Sequence, residues 1–464
     1  MSASITVGAE HETTETATLL VVGGTVLTLD AEDTVLADGA VAMRGDTLVA
    51  VGPSAQLLER FPTAERLDAT GKIVLPGLVN THTHVPMTLF RGLADDLELM
   101  EWLQKHIFPA EARFVDEDFV RAGTRLACLE MIRGGTTTFV DMYYFEDALA
   151  EEVERCGLRA VLGQTLIDFP APDFATWDEA MAGTRRFVER WRGHARIVPA
   201  VAPHAPYTVS SEHLVAAHGL AVELDVPLVM HLAEDRSELE TIRARHGRGP
   251  VDYISGLGML DRRLIAAHMV WPTDGEIRLL AERGVGVAHC PQSNMKLAAG
   301  VAPVPRLRAA GVAVGLGTDG PASNNDLDLW DEMDTAAKLH KLTTGDPTTL
   351  PATEVLRMAT IEGARAIGMD HLIGSLEPGK RADLVIVSTD AFRQTPWQDA
   401  ASLLVYSTRA DDVDTVLVDG EILLRGGTLV AEGVDEILEV ARDYRRRIVA
   451  ADSERARDGS GAER

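Results

Sequence analysis

Cysteine, lysine, aromatic residues and long apolar runs are all scarce in this sequence. The shortage of cysteine argues against a disulfide-bonded protein, and the shortage of long apolar runs argues against a membrane-spanning one. The three cysteines, Cys128, Cys156 and Cys290, lie far apart and form no C-x-x-C pair, so no disulfide framework is expected. No apolar stretch is long enough to span a bilayer, and the acidic, threonine-rich start lacks the basic and apolar regions of a signal peptide. The sequence therefore predicts a cytoplasmic protein without a membrane segment.

Positive charge is also in short supply. The chain carries 44 lysine and arginine residues against 71 aspartate and glutamate residues, a formal net charge of −27. Because such a surface repels phosphate backbones, nucleic acid is not an expected partner. The partner that the sequence as a whole predicts is a small-molecule substrate. The apolar share of 46% supplies a large core, and 464 residues suit a barrel with one accessory domain. The sequence does not decide whether the chain forms a homo-oligomer.

Short β-like runs punctuated by glycine, aspartate and proline occur near both ends of the chain. Leu19–Leu29 and Val413–Gly420 are examples, and we expect them to pair into one small β-sandwich built from both termini. The predicted organisation is a disordered leader over 1–16, the N-terminal part of the β-sandwich over 17–75, a barrel over 76–381, the C-terminal part of the sandwich over 382–432, and a helix with a mobile tail over 433–464.

Between these ends, short apolar strands alternate with longer helical stretches. The predicted strands are Ile73–Val79, Thr136–Asp141, Ala160–Leu166, Ile197–Ala202, Pro227–His231, Leu264–His268, Val285–His289 and Val312–Asp319. Alternation of near-continuous apolar strands with helices indicates a parallel sheet of the α/β class, and eight units favour a closed (β/α)₈ TIM barrel. A doubly wound sheet is the alternative, but no G-x-G-x-x-G follows a first strand.

Polar residues at the ends of the predicted strands indicate a metal site. His82 and His84 follow the first strand two residues apart, a spacing that points both imidazoles the same way in extended chain. His231 ends the fifth strand and Asp319 the eighth, and the carboxyl ends of barrel strands meet around one cavity. Three imidazoles and one carboxylate predict a single divalent cation, with Zn²⁺ favoured and Fe²⁺ or Mn²⁺ as alternatives.

Two further residues have the chemistry to work beside such an ion. Glu234 lies three residues past His231, where a turn would direct its carboxylate into the cavity to shuttle protons between water and substrate. Its other interpretation is an acidic residue at a helix N-terminus, favoured by the helix dipole. His268 ends the sixth strand and is either a further metal ligand or a hydrogen-bond partner of the attacking water, and we favour the second role. Asp319 would orient that water.

Several stretches of the sequence resemble the methylthioadenosine/S-adenosylhomocysteine deaminase family, within the amidohydrolase superfamily. The matching stretches are Pro76–His84, Leu89–Asp96, Pro203–Tyr207, His231–Glu234, Ala288–Asn294, Thr318–Asn325 and Gly374–Leu384. They are spread over nearly all of the chain between Thr18 and Gly427. The resemblance implies an enzyme that hydrolyses the C–N bond of a cyclic amidine with one catalytic metal ion held by the four ligands named above.

The resemblance also assigns substrate contacts. Glu111 matches a residue that holds the ribose hydroxyls, His204 matches another substrate contact, and Ser323 is expected to line the same pocket together with Glu234. Gln164 aligns with a substrate-site position at which some relatives carry arginine. That difference weakens the expectation of S-adenosylhomocysteine as substrate relative to methylthioadenosine, adenosine or another aminopurine nucleoside.

The absence of lysine between Lys105 and Lys296 bears on the number of metal ions. Two-metal members of the superfamily commonly bridge their ions with a carboxylated lysine on the fourth strand. This chain offers no lysine in that region, so a single ion is expected.

The predicted function is hydrolytic removal of the 6-amino group of adenine nucleosides, which releases ammonia and the inosine analogue. One alternative is hydrolysis at another heteroaromatic ring, as in amidohydrolases acting on oxidised guanine or triazines. A second is a non-enzymatic relative that kept the barrel. The intact ligand set and Glu234 disfavour the non-enzymatic alternative, and Glu111 disfavours a substrate without ribose.

Overall fold

The computed structural model describes residues 16–461, which form two β-sheets and their covering helices. The predicted disordered leader falls, up to residue 15, outside the described residues, as do residues 462–464 of the predicted mobile tail. The strands are β1 Leu19–Leu27, β2 Val35–Arg44, β3 Thr47–Pro53, β4 Glu65–Asp68, β5 Lys72–Pro76, β6 Leu78–Thr83, β7 Thr136–Tyr143, β8 Arg159–Leu166, β9 Ile197–Pro203, β10 Leu228–Leu232, β11 Leu264–His268, β12 Gly286–His289, β13 Ala313–Leu316, β14 Leu384–Ser388, β15 Val413–Val418, β16 Glu421–Arg425 and β17 Thr428–Leu429.

Helices fill most of the connections. The α-helices are α1 Ser54–Arg60, α2 Leu99–Glu101, α3 Phe108–Phe114, α4 Glu117–Arg133, α5 Glu146–Cys156, α6 Trp177–Trp191, α7 Ser211–Leu224, α8 Arg236–His246, α9 Pro250–Gly256, α10 Asp274–Arg283, α11 Pro291–Lys296, α12 Val304–Ala309, α13 Leu329–Thr344, α14 Ala352–Met358, α15 Ile361–Ala366, α16 Ala400–Tyr406 and α17 Val434–Gly461. A π-helical segment over Trp102–Ile107 joins α2 to α3, and short 3₁₀ segments cover Val85–Phe90, Phe392–Gln394 and Ala410–Asp412. Among these described helices, none combines the length and the apolarity that a bilayer-spanning helix needs.

Both ends of the chain contribute strands to one nine-stranded, mainly antiparallel sheet. Its junction is β5, which runs parallel to β1 and antiparallel to β14, so that Leu384 pairs with Pro76. Apolar residues of strands far apart in the sheet, Met43 of β2 and Leu417 of β15 among them, share one buried cluster. The sheet therefore curls around its own core, and the predicted accessory domain built from both termini is confirmed.

The remaining eight strands, β6 to β13, form a parallel sheet in simple sequence order. The first and last strands meet where the sheet closes: the Thr81 hydroxyl donates to the Leu316 carbonyl at 2.9 Å, and the Asp319 N–H donates to the His82 carbonyl at 3.0 Å. Nearly every residue of these strands is buried, because helices cover the outside and side chains fill the inside. This confirms the predicted (β/α)₈ barrel.

The prediction for the first barrel strand is wrong in its position. Residues 73–79 were expected to form it, but β5 belongs to the terminal sheet and β6 begins only at Leu78. The two apolar strands are separated by Gly77, where an added Cβ would lie 2.0 Å from the Thr137 hydroxyl oxygen. Apolar periodicity continues through this break because both strands are buried, so the pattern cannot reveal it. As a result, His82 lies inside the first barrel strand and only His84 follows it.

A buried ion cluster joins the terminal sheet to the base of the barrel. Arg159, the first residue of β8, is only 1% exposed, and its guanidinium donates to Asp383 at 3.1 Å and to Asp419 at 2.5 Å. The backbone N–H of Asp419 donates in turn to the Asp383 carboxylate at 2.7 Å. Arg159 therefore links the start of β8 to two segments of the terminal sheet, the one just before β14 and the one just after β15.

Candidate metal centre and active site

Four side chains gather at the carboxyl end of the barrel. His82 lies in β6 and His84 directly follows that strand, His231 lies in β10, and Asp319 lies in the segment after β13. One ligand atom from each lies within 4.8 Å of the others. The Nε2 atoms of His84 and His231 are 3.2 Å apart, and the Asp319 Oδ1 lies 3.3 Å from His84 Nε2 and 3.4 Å from His82 Nε2.

This set fits a divalent cation. Both ring nitrogens of His82 are buried without a hydrogen-bond partner among the described residues, an arrangement that is costly unless a ligand satisfies it. Burial lowers the pKa of His82 and of His231, which keeps both imidazoles in the neutral form that coordinates metals. Three imidazole nitrogens and one carboxylate oxygen are a ligand set that Zn²⁺ accepts.

Neighbouring groups fix the orientation of these ligands. The Nδ1 of His84 lies 2.7 Å from the Met142 carbonyl, and that of His231 lies 2.9 Å from the His204 carbonyl. Each carbonyl accepts the Nδ1 proton, so the Nε2 lone pair is directed at the site. The Asp319 carboxylate accepts hydrogen bonds from two serine hydroxyls, Ser293 at 2.6 Å and Ser323 at 2.7 Å.

Glu234 and His268 lie beside the four ligands. The Glu234 carboxylate is 3.6 Å from His268 Nε2, and both side chains are buried. Burial, with the charge of Asp319 second, raises the pKa of Glu234 well above its usual value, whereas burial lowers the pKa of His268 to about 3. The Asn294 amide lies 3.0 Å from His268 Nδ1; its donation there leaves the proton of the neutral ring on Nε2, the atom facing Glu234.

The backbone around these residues adopts sparsely populated conformations. Ala233, His268 and Asp319 have φ values of 54°, 74° and 63°, in the left-handed region that residues other than glycine rarely enter. The turn at Ala233 is held by Glu238, whose carboxylate accepts the N–H groups of Ala233 at 3.0 Å and Glu234 at 2.8 Å. Strain of this kind persists where the surrounding structure fixes it, typically at functional sites.

A cavity opens beside the ligand set, and three of the four ligands, His84, His231 and Asp319, line it. Its polar lining includes Glu111, His204, Glu234 and His268, four residues that the sequence analysis singled out. Its apolar and aromatic lining comes from side chains that the sequence did not single out: Met87, Leu99, Trp102, Leu103, Ile107, Phe108, Met142, Tyr143, Tyr144, Tyr207 and Leu297. Glu111 is buried among them, and burial raises its pKa to about 7. The cavity therefore combines flat apolar walls with a few acidic and imidazole groups.

Two predicted substrate contacts lie elsewhere in the described structure. Ser323 is not part of the cavity lining and contacts the site through its hydrogen bond to Asp319. Gln164 is likewise outside the lining, and its side-chain amide donates to the Asp173 carboxylate at 2.8 Å. Sequence reasoning also missed Ser293, Asn294 and Glu238, which act on ligands or on Glu234 through hydrogen bonds.

Comparison with known proteins places this geometry in a family. A model of the amidohydrolase family matches residues 73–423, and one of a bacterial imidazolonepropionase-like composite domain matches residues 39–64. A 5-methylthioadenosine/S-adenosylhomocysteine deaminase of Syntrophobacter fumaroxidans is 49% identical over 432 residues, which cover 93% of this chain and 98% of that protein.

Two further proteins are similar over most of the chain. A 5'-deoxyadenosine deaminase of Methanothermobacter thermautotrophicus is 49% identical over 377 residues, 81% of this chain and 87% of that protein. The crystal structure of an adenosine deaminase from Xanthomonas campestris with bound zinc superimposes with a TM-score of 0.92 at 42% identity, covering 94% of this chain and 99% of that one. All three names concern deamination of adenine nucleosides.

Proposed function

The chain belongs to the amidohydrolase family, and from that premise we propose that it is a metal-dependent deaminase of adenine nucleosides. The reaction replaces the 6-amino group of the purine by oxygen, with water as the second substrate, and releases ammonia and the inosine analogue. The observation that carries this proposal is one site in which a three-histidine, one-aspartate set lies beside a cavity lined by the Glu234–His268 pair and by the buried acid Glu111.

His82, His84, His231 and Asp319 would hold one divalent ion, and we propose zinc, which the Xanthomonas campestris structure contains. When bound, the ion supplies Lewis-acid chemistry, lowering the pKa of a water molecule so that it attacks an aromatic carbon near neutral pH. The fourth barrel strand, β9, contains no lysine to bridge a second ion.

Glu234 is the proton carrier that this geometry supports best. Deamination needs a proton at N1 of the purine as water adds to C6, and another on the departing amine. Glu234 lines the cavity next to the ligands without belonging to the ligand set, so its carboxyl group is free to take a proton and return it. The Nε2–H of His268 would donate a hydrogen bond to the attacking oxygen, and Asp319 would accept one from it.

The substrate would lie with its ribose at Glu111. This carboxyl group sits on α3 next to Phe108, in a pocket otherwise lined by aromatic and apolar side chains. A carboxylate accepts two hydroxyl donors well, and a nucleobase or triazine without a sugar offers it no hydroxyl donor. Glu111 therefore favours nucleosides over the alternative heteroaromatic substrates. Cytoplasmic location and homo-oligomer formation stay predictions.

The test is ammonia release by the zinc-loaded enzyme from matched compounds. We expect turnover of adenosine, 5'-deoxyadenosine and 5'-methylthioadenosine, and much slower turnover of adenine, guanine and an aminotriazine. The variant Glu111→Gln, which keeps the size of the side chain, should lower kcat/KM for the nucleosides and leave that for adenine nearly unchanged. Ammonia from guanine or the triazine but not from any adenine nucleoside would refute the proposal.

A further inference from the structure

One stretch that the sequence analysis singled out, Leu89–Asp96, has no role in the function proposed so far. The structure connects it to the metal-ligand loop through a lysine. The Lys296 ammonium group donates to the Asp95 carboxylate at 2.6 Å and to the side-chain carbonyl of Asn325 at 2.6 Å. Asn325 lies in the same loop after β13 as the ligand Asp319. Lys296 therefore joins two loops that are far apart in the sequence.

The loop that contains Asp95 leads into one wall of the active-site cavity. Residues 99–114, here called the wall segment, consist of α2, the π-helical segment and α3. A single π-helical turn inside α-helix is frequent at functional sites. The wall segment supplies six residues of the cavity lining: Leu99, Trp102, Leu103, Ile107, Phe108 and Glu111. The position of this loop therefore bears on where the apolar wall and the proposed ribose acceptor lie.

The backbone of the two joined loops depends on contacts to keep its shape. Ala94 and Asp96 have φ values of 60° and 64°, and Asn325 has a φ of 86°, all in the left-handed region that residues other than glycine rarely adopt. Such conformations persist only where the surrounding structure holds them. Arg91 supplies a second contact between the loops, donating to the Asn325 backbone carbonyl at 2.6 Å and to Glu130 at 3.0 Å.

The side of the contact opposite Asp95 is firmly attached to the barrel mouth. Lys296 is the last residue of α11, and Ser293 of the same helix donates to the Asp319 carboxylate at 2.6 Å. In the loop after β13, the Asn324 amide donates to the Glu332 carboxylate at 2.6 Å, and both side chains are buried. The start of the wall segment is thus the part whose place depends on Lys296.

We propose that Lys296 is a positioning residue that holds the wall segment in register with the metal-ligand loop, so that a nucleoside reaches Glu111 and the ligand set at once. This inference rests on the proposed function and adds to it a residue that does not touch the substrate, since Lys296 lies outside the cavity lining. The wall contacts the substrate both before and during the reaction. Its displacement should therefore appear in KM rather than in kcat.

The first experiment measures KM and kcat for adenosine in the variant Lys296→Met, which keeps the apolar stem and removes the ammonium group. KM should rise by about tenfold, the usual worth of a charge-assisted hydrogen bond, while kcat stays within about twofold and metal content is unchanged. Lys296→Arg should recover part of the loss, because a guanidinium can donate to both partners. Lys338→Met is the matched control: its ammonium group pairs with Asp334 at 2.6 Å on α13, away from the cavity lining, and KM should not change.

Two further measurements separate positioning from general stability. Asp95→Ala should also raise KM, and the double variant Asp95→Ala/Lys296→Met should lose little more than Lys296→Met alone, because both changes remove the same link. Amide hydrogen exchange does not depend on the substrate. In Lys296→Met it should be faster in the wall segment and unchanged in α13.

Each contrary result has a distinct meaning. A Lys296→Met enzyme with the KM of the parent overturns the positioning role, and so does faster exchange spread over the whole barrel, which would make the lysine a general stabilising residue. Loss of kcat and metal at unchanged KM would overturn it as well, by assigning Lys296 to the metal site. A parent enzyme that deaminates no adenine nucleoside defeats the proposed function instead, and the exchange comparison then still tests Lys296.

Discussion

The barrel buries charged groups at both of its ends but satisfies them in opposite ways. At the base, Arg159 is enclosed with Asp383 and Asp419, and its guanidinium donates hydrogen bonds of 2.5 to 3.3 Å to both carboxylates. At the mouth, the ligand set around His82 is equally buried, yet both ring nitrogens of His82 have no hydrogen-bond partner among residues 16–461. One cluster is complete within the chain and the other is complete only with a bound ion.

The complete cluster at the base stabilises the fold, whereas the incomplete cluster at the mouth serves function. A completed buried ion cluster holds two sheets in register, and removing one partner leaves uncompensated charge. An incomplete cluster binds what it lacks, and the left-handed backbone at His268 and Asp319 shows that the fold maintains it at a cost. In barrels of this kind, strand ends at the mouth carry chemistry and those at the base carry stability.

The largest effect is expected from removing a ligand at the mouth. His231→Ala takes away one of three imidazoles that face Asp319, so both bound metal and activity should be lost. The measurement is elemental analysis together with ammonia release. The parent should contain about one metal ion per chain, since no lysine between Lys105 and Lys296 is available to bridge two. Two ions per active chain, or an active His231→Ala variant, would contradict the single-ion site.

A smaller but still large effect is expected from the proton carrier. Glu234→Gln keeps size and hydrogen bonding but cannot accept a proton, so kcat should fall by about 10²–10⁴-fold. Metal content should stay at the parent level, because Glu234 is not among the four grouped ligands. A variant that loses its metal, or that keeps its kcat, would show that the role assigned to Glu234 is wrong.

The base cluster should respond in stability rather than in chemistry. Arg159→Ala leaves Asp383 and Asp419 buried without a counter-charge, so the free energy of unfolding should fall by roughly 3–5 kcal/mol. Urea unfolding measures the loss, and kcat of the folded variant at low temperature should stay near that of the parent. Arg185→Ala, at an exposed pair with Glu223, is the control and should cost less than about 1 kcal/mol.

This contrast also separates what the sequence could predict from what it could not. The ligands were predictable because each lies in or just beyond a short apolar strand, where the local pattern marks the strand and barrel geometry brings the ends together. The base cluster was not, because Arg159 is separated from Asp383 by 224 positions and no local pattern couples them. The four residues that the sequence indicated as metal ligands lie together in the structure, whereas their metal-binding and catalytic roles stay predictions.

Missed residues near the site differ in whether a signal existed. Glu238 follows Asp235 by three positions at the start of α8, the spacing of a capping box, and that pattern predicts a carboxylate turned back toward the preceding N–H groups. Ser293 and Asn294 offered no comparable signal. They reach Asp319 and His268 across 26 positions each, by the packing of α11 against the barrel mouth.

The smallest effect concerns Gln164, the position at which some relatives carry arginine. An arginine fork suits a carboxylate, so Gln164→Arg would be expected to favour S-adenosylhomocysteine over 5'-methylthioadenosine. The structure limits that gain, because the Gln164 amide already contacts Asp173, whose second carboxylate oxygen is buried without a partner. An introduced guanidinium would pair with Asp173 first, and the ratio of kcat/KM values should rise less than about fivefold, under 1 kcal/mol.

Gln164→Arg combined with Asp173→Asn removes the competing carboxylate and should raise the ratio further. A tenfold or larger rise in the single variant would mean that the substrate tail passes close to Gln164.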